Sequence, residues 1–392
     1  MNNFKVVFLL RYWAVYGGGE TVTIALANEF VRRGLDVSIL YLWDNVRSEM
    51  PYIDERIKEV RIAGDKNEDL QITDKKLSVK LHDYIQENDI NFVINQWWLA
   101  ETAYFGTRGT DAILIKCHHI SVQGSWNIKV HDLGSFLKYL LGPIYVKISK
   151  YLQVKAIDKF YKMSDYVSFL APSYVKEYNK LTTLKIDKDR TISIFNPQVF
   201  EVNLPVEKYK QKQNVALFVG RMQEAQKGLK RLMDVWKLVE QSGKCNNWTL
   251  VMVGTGEDLE STIMYAKSLG LTNISFEGFQ QPNSYYAKAK IFMMTSKTEG
   301  LPMTLIEAKQ SMVCPIVMDT FSSLHDVITN GKDGIIVDEN IEEMANKFIS
   351  LVENPQLLEK LGSDTSVTGR FSVIKIVDQW LDLFNNATKK LS

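Results

Sequence analysis

Cysteine is scarce in this chain of 392 residues: Cys117, Cys245 and Cys314, with no CxxC pair. That excludes a disulfide framework and a cysteine-ligated zinc site. It fits a reducing compartment. Histidine is scarce too, at five residues, and no HxxxH or carboxylate spacing suggests a metal ligand set. Charge of one sign is not in excess. With 47 Lys and Arg against 46 Asp and Glu, the formal net charge is +1. Nothing draws the whole chain towards nucleic acid, and any basic surface must be local. No apolar run approaches the ~20 residues of a membrane-spanning helix. The first residues, MNNFKVVFLLRYWAVYGGG, are broken by Arg11 and lack a small-residue cleavage pattern, so they do not read as a signal peptide. A cytoplasmic protein is expected.

What the chain does have is alternation. Short β-branched runs recur between helical patterns: KVVFLL, DVSILYL, NFVINQ, AILIKC, YVSFLA and TISIF, then VALFVG, WTLVMVG, ISFEG, IFMMTS, CPIVM and GIIV. Continuous apolar runs mean strands buried on both faces, hence parallel sheets covered by helices. Two series of this kind predict two doubly wound domains. The break falls at residues 196–214, with two prolines and a charged, glutamine-rich tail. The predicted boundaries are 1–197 and 198–372. The amphipathic segment 373–392, with Ile374, Val377, Trp380, Leu381 and Phe384 near one face, is expected to pack back on the first domain.

Several strand-to-helix junctions carry chemistry. SKTEGLPMTLIEA places Glu299 in a loop after IFMMTS and Glu307 on the following helix, three residues after Thr304. Pro302 suits the first helical turn. Helix N-termini attract phosphate, and carboxylates accept from hydroxyls. A ligand bearing both would suit the site, although two glutamates at this spacing are commonplace by themselves. VALFVGRMQEAQKG puts Gly220 and Arg221 at a strand end and Lys227 at the helix that follows. Two such cations can neutralise a diphosphate, or form a solvated basic turn. Gly254 and Gly256 in MVGTGEDLE would let a turn approach a ligand, with Glu257 or Asp258 as the cap, or would serve the turn alone. YGGGE sets Gly17, Gly18, Gly19 and Glu20 at a helix start, without the GxGxxG order of a nicotinamide site.

These motifs together resemble family 4 of the retaining glycosyltransferases, with the GT-B fold of two Rossmann-like domains facing a cleft. The likeness covers nearly the whole chain and is strongest over 215–340. It implies that Glu299, the first glutamate of an EX7E motif, receives donor-sugar hydroxyls and that Glu307 holds the ribose diol. It implies that Arg221 and Lys227 bind the diphosphate beside the Gly300, Leu301, Met303 and Thr304 backbone. Gly220, Gly254 and Gly256 line the nucleotide, and Phe279 and Gln280 flank its base. Gly17–Glu20 become the acceptor-side loop, and His118 or His119 stands near the donor sugar. Ser173 reads as an N-cap and Lys176 as a cation of the cleft. Tyr285 and Tyr286 read as packing residues.

The function implied is transfer of a hexose or N-acetylhexosamine, from a UDP-sugar in preference, to a glycan or lipid-linked saccharide in surface polysaccharide biosynthesis. No metal is required. Asp187 and Asp189 form a DxD that lies in a polar turn rather than after an apolar strand, and is dismissed as a metal site. Seven lysines interleave with aromatic and aliphatic residues over 129–162, a pattern that suits anionic lipid or a solvated helix face. Two alternatives stay open: a nucleotide-sugar epimerase of the same fold, and a non-catalytic nucleotide-sugar-binding protein.

Overall fold

The structure, a computed structural model, describes residues 3–13, 18–44, 51–63, 70–71, 73–122, 135–199 and 206–391. Two compact units are present, each built on one parallel sheet. The first comprises Met1–Gln123, Tyr139–Val199 and Phe371–Ser392, and the second centres on Phe200–Arg370.

In the first unit the elements run β1 (Lys5–Trp13), α1 (Gly18–Arg32), β2 (Asp36–Asp44), β3 (Lys58–Arg61), α2 (Lys75–Glu87), β4 (Phe92–Asn95), α3 (Ala100–Thr107), β5 (Ile113–His118), α4 (Ser135–Lys162), β6 (Tyr166–Phe169), α5 (Pro172–Leu181) and β7 (Thr191–Ser193). The sheet order is β3-β2-β1-β4-β5-β6-β7. Apolar side chains fill both faces, as parallel strands between helix layers require. The last helix, α13 (Val373–Leu391), is part of this unit. Its Ile376, Val377, Trp380, Phe384 and Ala387 recur at helical spacing and enter the core. Phe384 stacks on Phe92 at 4.1 Å between ring centroids and meets Phe4 and Phe30 edge-on. Ile374, expected on that face, is half exposed instead, and Ile376 takes the buried position.

The second unit runs β8 (Val215–Val219), α6 (Glu224–Lys227), α7 (Leu229–Gln241), β9 (Thr249–Val253), α8 (Leu259–Ser268), β10 (Ile274–Gly278), α9 (Asn283–Lys288), β11 (Ile291–Met294), α10 (Met303–Gln310), β12 (Cys314–Met318), β13 (Ile335–Val337), α11 (Ile341–Glu353) and α12 (Pro355–Ser363). The sheet order is β10-β9-β8-β11-β12-β13. Chain order reverses between β8 and β11 here, and between β1 and β4 in the first unit. Loops leaving the carboxyl ends of such neighbouring strands diverge, and the gap they leave is where doubly wound sheets bind ligands.

Truncating Phe384 removes aromatic packing that α13 shares with Phe4 just before β1, with α1 and with β4. The Phe384→Ala variant should lose about 3–5 kcal/mol of local stability. Amide exchange should quicken in β1, β2 and β4 and stay unchanged in β8–β12. Equal protection in the first sheet would contradict this.

Candidate functional site

The switch point of the second unit gathers most of the charged residues singled out in the sequence. Lys227 follows β8 and Glu299 follows β11, and their side chains meet at 2.6 Å, Nζ to Oε1. Both are nearly shielded from solvent, 12% and 8% exposed. Gln226 approaches the same carboxylate with its amide nitrogen, 3.4 Å from Oε2. Lys227 does not open the long helix as the sequence suggested. It ends the single turn α6, and Gly228, at φ 62°, breaks the chain before α7. A side chain at Gly228 would place its Cβ 2.4 Å from the Thr295 carbonyl oxygen. Only glycine lets the Lys227 turn press this closely on the end of β11. The Thr295 hydroxyl fixes the contact by donating to the carbonyls of Lys227 (3.2 Å) and Gly228 (3.0 Å).

Arg221 is exposed, and its side chain has no hydrogen bond or ion pair among the described residues. Gly220 beside it lies against the Lys227 stem. The two glycines after β9 prove to be spacers between loops. A Cβ on Gly254, at φ 138°, would lie 1.9 Å from the Gly220 carbonyl oxygen, and one on Gly256 would lie 2.4 Å from that of Met222. Their small size is spent on backbone contact. Asp258 precedes α8 without capping it. Its carboxylate accepts from the Glu224 N–H at 2.8 Å and so caps α6.

Glu307 lies on α10, where Tyr286 donates its hydroxyl to Oε2 at 2.8 Å. Although the glutamate keeps some surface, its carboxyl is so enclosed that burial pushes it up to about 7, against the pull of the tyrosine hydrogen bond. Pro302 precedes the helix as its N-cap rather than sitting in its first turn. The Met303 N–H turns back to the Leu301 carbonyl at 2.9 Å, so it does not aim outward as expected. Thr304, second in α10, has an amide the helix itself cannot bond. Gly300 is half-buried and Leu301 buried in the loop. Phe279 and Gln280 are exposed just beyond β10.

In the first unit the carboxyl ends of β4 and β5 and the start of α1 carry a second cluster. Gly19 packs on the Trp97 indole, where an added Cβ would meet Nε1 at 3.1 Å. His119 stacks on the same indole, 4.7 Å between centroids. Gly18 and Glu20 lie in the first turn of α1, and Gly17 lies outside the described residues. His118 points elsewhere, buried against Phe169 and Phe160. Beneath both is Lys116, which the sequence reading passed over as a strand residue. It is buried, and its ammonium donates to the carbonyls of Gln96 (3.1 Å) and Trp98 (3.3 Å) and to Asn95 Oδ1 (3.4 Å). Burial and the Lys116 charge hold both histidines down to about 3. Burial lowers Lys116 itself to about 8.

Other sequence expectations fare variously. Ala171, not Ser173, is the N-cap of α5, with Pro172 in its first turn, and Lys176 is exposed. Asp187 accepts from the Asp189 N–H, and Asp189 pairs with Lys390 at 3.1 Å. Among the described residues no group of three His, Cys, Asp or Glu could hold a metal, and no helix is long and apolar enough to cross a membrane. A cavity of about 660 Å³ between α2 and α3, lined by Val79, Leu99 and Phe105, contains none of the site residues.

The histidine pair gives a pH signature. Neutral histidine is favoured in the folded chain, since both values lie below the ordinary 6.5. Their contribution is complete above pH 6.5 and is lost as pH falls towards 3. The slope is roughly 1 kcal/mol per histidine per pH unit. Stability measured from pH 7 to pH 5 should therefore fall more steeply in the native chain than in a His118→Gln, His119→Gln double variant. Parallel curves would contradict it.

Residues 200–366 match the model of the family "Glycosyl transferases group 1". An uncharacterised glycosyltransferase of Haemophilus influenzae is 24% identical over 384 residues, covering 96% of this chain and 98% of that protein. A Campylobacter jejuni α-1,4-N-acetyl-D-galactosaminyltransferase, whose name gives a PP-undecaprenol-linked saccharide, is 27% identical over 193 residues, 48% of this chain and 53% of its own. The crystal structure of TarM superposes with a TM-score of 0.74 at 15% identity, covering 97% of this chain and 99% of that one. The chain has the GT-B fold, and these likenesses support a glycosyltransferase.

Proposed function

We propose that the protein is a family 4 retaining glycosyltransferase that moves a hexose or N-acetylhexosamine from a nucleotide sugar, UDP-linked in preference, to a glycan or lipid-linked saccharide of a surface polysaccharide. The observation that carries this is the Lys227–Glu299 pair at the switch point of the second sheet, with the N-terminus of α10 following in the same loop. In this reading the donor diphosphate lies by Lys227, Arg221 and the Thr304 amide. Donor cleavage loads negative charge onto the departing diphosphate, and fixed cations and an oriented amide stabilise it as it grows. Glu299 accepts from sugar hydroxyls, Glu307 from the ribose diol, and exposed Phe279 and Gln280 flank the base. The acceptor oxygen attacks the anomeric carbon from the face the diphosphate leaves. The departing phosphate oxygen takes the acceptor proton, so configuration is kept without a protein nucleophile. Two side-chain cations already offset the diphosphate charge, so the reaction is proposed to need no metal. The first unit supplies the acceptor-side groups Gly18, Gly19 and Glu20. Of the two histidines His119 is assigned to the site, because it lies with Gly19 on the half-exposed Trp97 whereas His118 is buried in the core.

A melting screen should find one nucleoside diphosphate class that stabilises the chain, by mass action. Lys227→Ala and Glu299→Ala should each lower transfer about 100-fold or more. Removing one partner of a buried pair also destabilises, so a Lys227→Ala, Glu299→Ala double variant should recover melting temperature without recovering activity. Transfer at the native rate in either single variant overturns the assignment.

Residues 147–162 of α4 present a second surface. Lys147, Ile148, Tyr151, Leu152, Lys155, Lys159 and Lys162 are exposed while Val154, Ile157 and Tyr161 enter the core. Asp158 is buried on hydrogen bonds from Tyr178 and Thr182 and pairs with Lys155 at 3.8 Å, and Lys159 pairs with Glu101, so Lys147 and Lys162 carry the unbalanced charge of this face. Side chains at 129–146 lie outside those described. This face suits peripheral contact with anionic lipid. The chain should sediment with vesicles containing phosphatidylglycerol and not with phosphatidylcholine alone, and Lys147→Glu with Lys162→Glu should abolish it. Equal sedimentation with both vesicles would exclude the charge-based contact.

A further inference from the structure

Tyr286 is 1% exposed, and the sequence offers it only as a packing residue. Its surroundings say more. The phenol reaches two acceptors, Glu307 Oε2 at 2.8 Å and the Thr304 carbonyl at 3.2 Å. A phenol has one proton, and the shorter contact receives most of it. The ring cannot drift, because its backbone is clamped. Lys212, itself buried, donates to the Tyr286 carbonyl at 2.8 Å and the Ala289 carbonyl at 2.9 Å. Lys288 adds its carbonyl to the Gln213 N–H at 2.7 Å. The one-turn helix α9 is therefore tied to the segment entering β8, and its tyrosine reaches from there to α10.

From this geometry we infer that Tyr286 is a positioning residue: it holds one oxygen of Glu307 from behind and leaves the other oxygen oriented towards the ribose diol of the donor nucleotide. The inference rests on the donor reading of Glu307 above. A carboxylate accepts at both oxygens, so one bond to the phenol still leaves room for two hydroxyls. Without the phenol, Oε2 would lose its partner in an enclosed setting, and the side chain would turn to another rotamer or stay protonated. Burial already drives the Glu307 carboxyl towards the neutral form, and the tyrosine bond opposes that. What the tyrosine fixes in this device is orientation, and its readout is recognition of the diol.

The test is titration of the full chain with uridine diphosphate and with 2′-deoxyuridine diphosphate, or the guanosine pair if the melting screen selects guanosine. The native chain should prefer the ribonucleotide. Tyr286→Phe should weaken ribonucleotide binding roughly 5- to 10-fold, the scale of one hydrogen bond. It should leave deoxynucleotide binding nearly unchanged, so the preference collapses. A merely structural loss would lower both affinities together and the melting temperature with them. Glu307→Gln separates the two levels. If it abolishes the preference while Tyr286→Phe keeps it, the positioning role is overturned and the donor reading stands. If Glu307→Gln keeps the preference, or neither diphosphate pair binds, the donor reading falls and this inference falls with it.

Discussion

One ion pair organises the second unit. Lys227 and Glu299 come from neighbouring strands whose loops part company at the switch point, and their contact at 2.6 Å closes the gap from both sides. Two charges this shielded are costly to hold apart, so each fixes the other. The backbone is shaped to allow it. Gly228 turns the chain in a left-handed conformation just after Lys227, and Thr295 ties that turn to the end of β11. Lys297 and Glu224 repeat the bridge one layer out, at 2.9 Å. The same two loops are thus joined by paired charges, a threonine hydroxyl and a backbone bond from the Lys297 N–H to the Gln226 carbonyl. These contacts join the two loops without any ligand.

The first unit solves a different problem. Its cluster under β4 and β5 contains a buried cation whose hydrogen bonds go to neutral oxygens. Lys116 is satisfied by carbonyl dipoles and by the face of Phe160, 5.1 Å away. Such a cation repels protons from neighbouring imidazoles, and burial acts in the same direction. Neutral histidine can both donate and accept, and the neutral form is the one both rings hold near pH 7. The two units therefore carry opposite chemistry at equivalent ends of their sheets: paired charges in one, an uncharged imidazole above a hidden cation in the other.

Much of this was legible in the sequence, for a physical reason. Strands buried on both faces need continuous apolar residues, so twelve of the thirteen strands among the described residues announced themselves. The exception, β3, is an edge strand reading Lys-Glu-Val-Arg, none of it fully buried, and so it carries no apolar run. Glu299, Lys227 and Arg221 were found because charged residues at strand ends stand out against apolar neighbours. Tyr286 and Lys116 were not, because an aromatic at helical spacing and a lysine inside a strand look like packing and solvation until the hydrogen bonds are drawn. Ile374 and Ile376 differ by two positions on a helix, and only the real phase of α13 says which one is inside.

The glycines mark the limit most sharply. A glycine in a strand-to-helix turn licenses two different close approaches, of a ligand to the backbone or of one backbone to another. Sequence does not distinguish them. Gly254 and Gly256 belong to the second kind, since the space a side chain would need holds the carbonyls of Gly220 and Met222. This contact still matters to the site, one step removed. The Met222 N–H donates to the Thr255 carbonyl, and the Gly220 N–H to that of Val253, so the two loops form one laminated support. Arg221 projects from between those anchored residues. The glycines act on the cation by fixing the backbone that carries it, and enlarging either would move Arg221 without touching it.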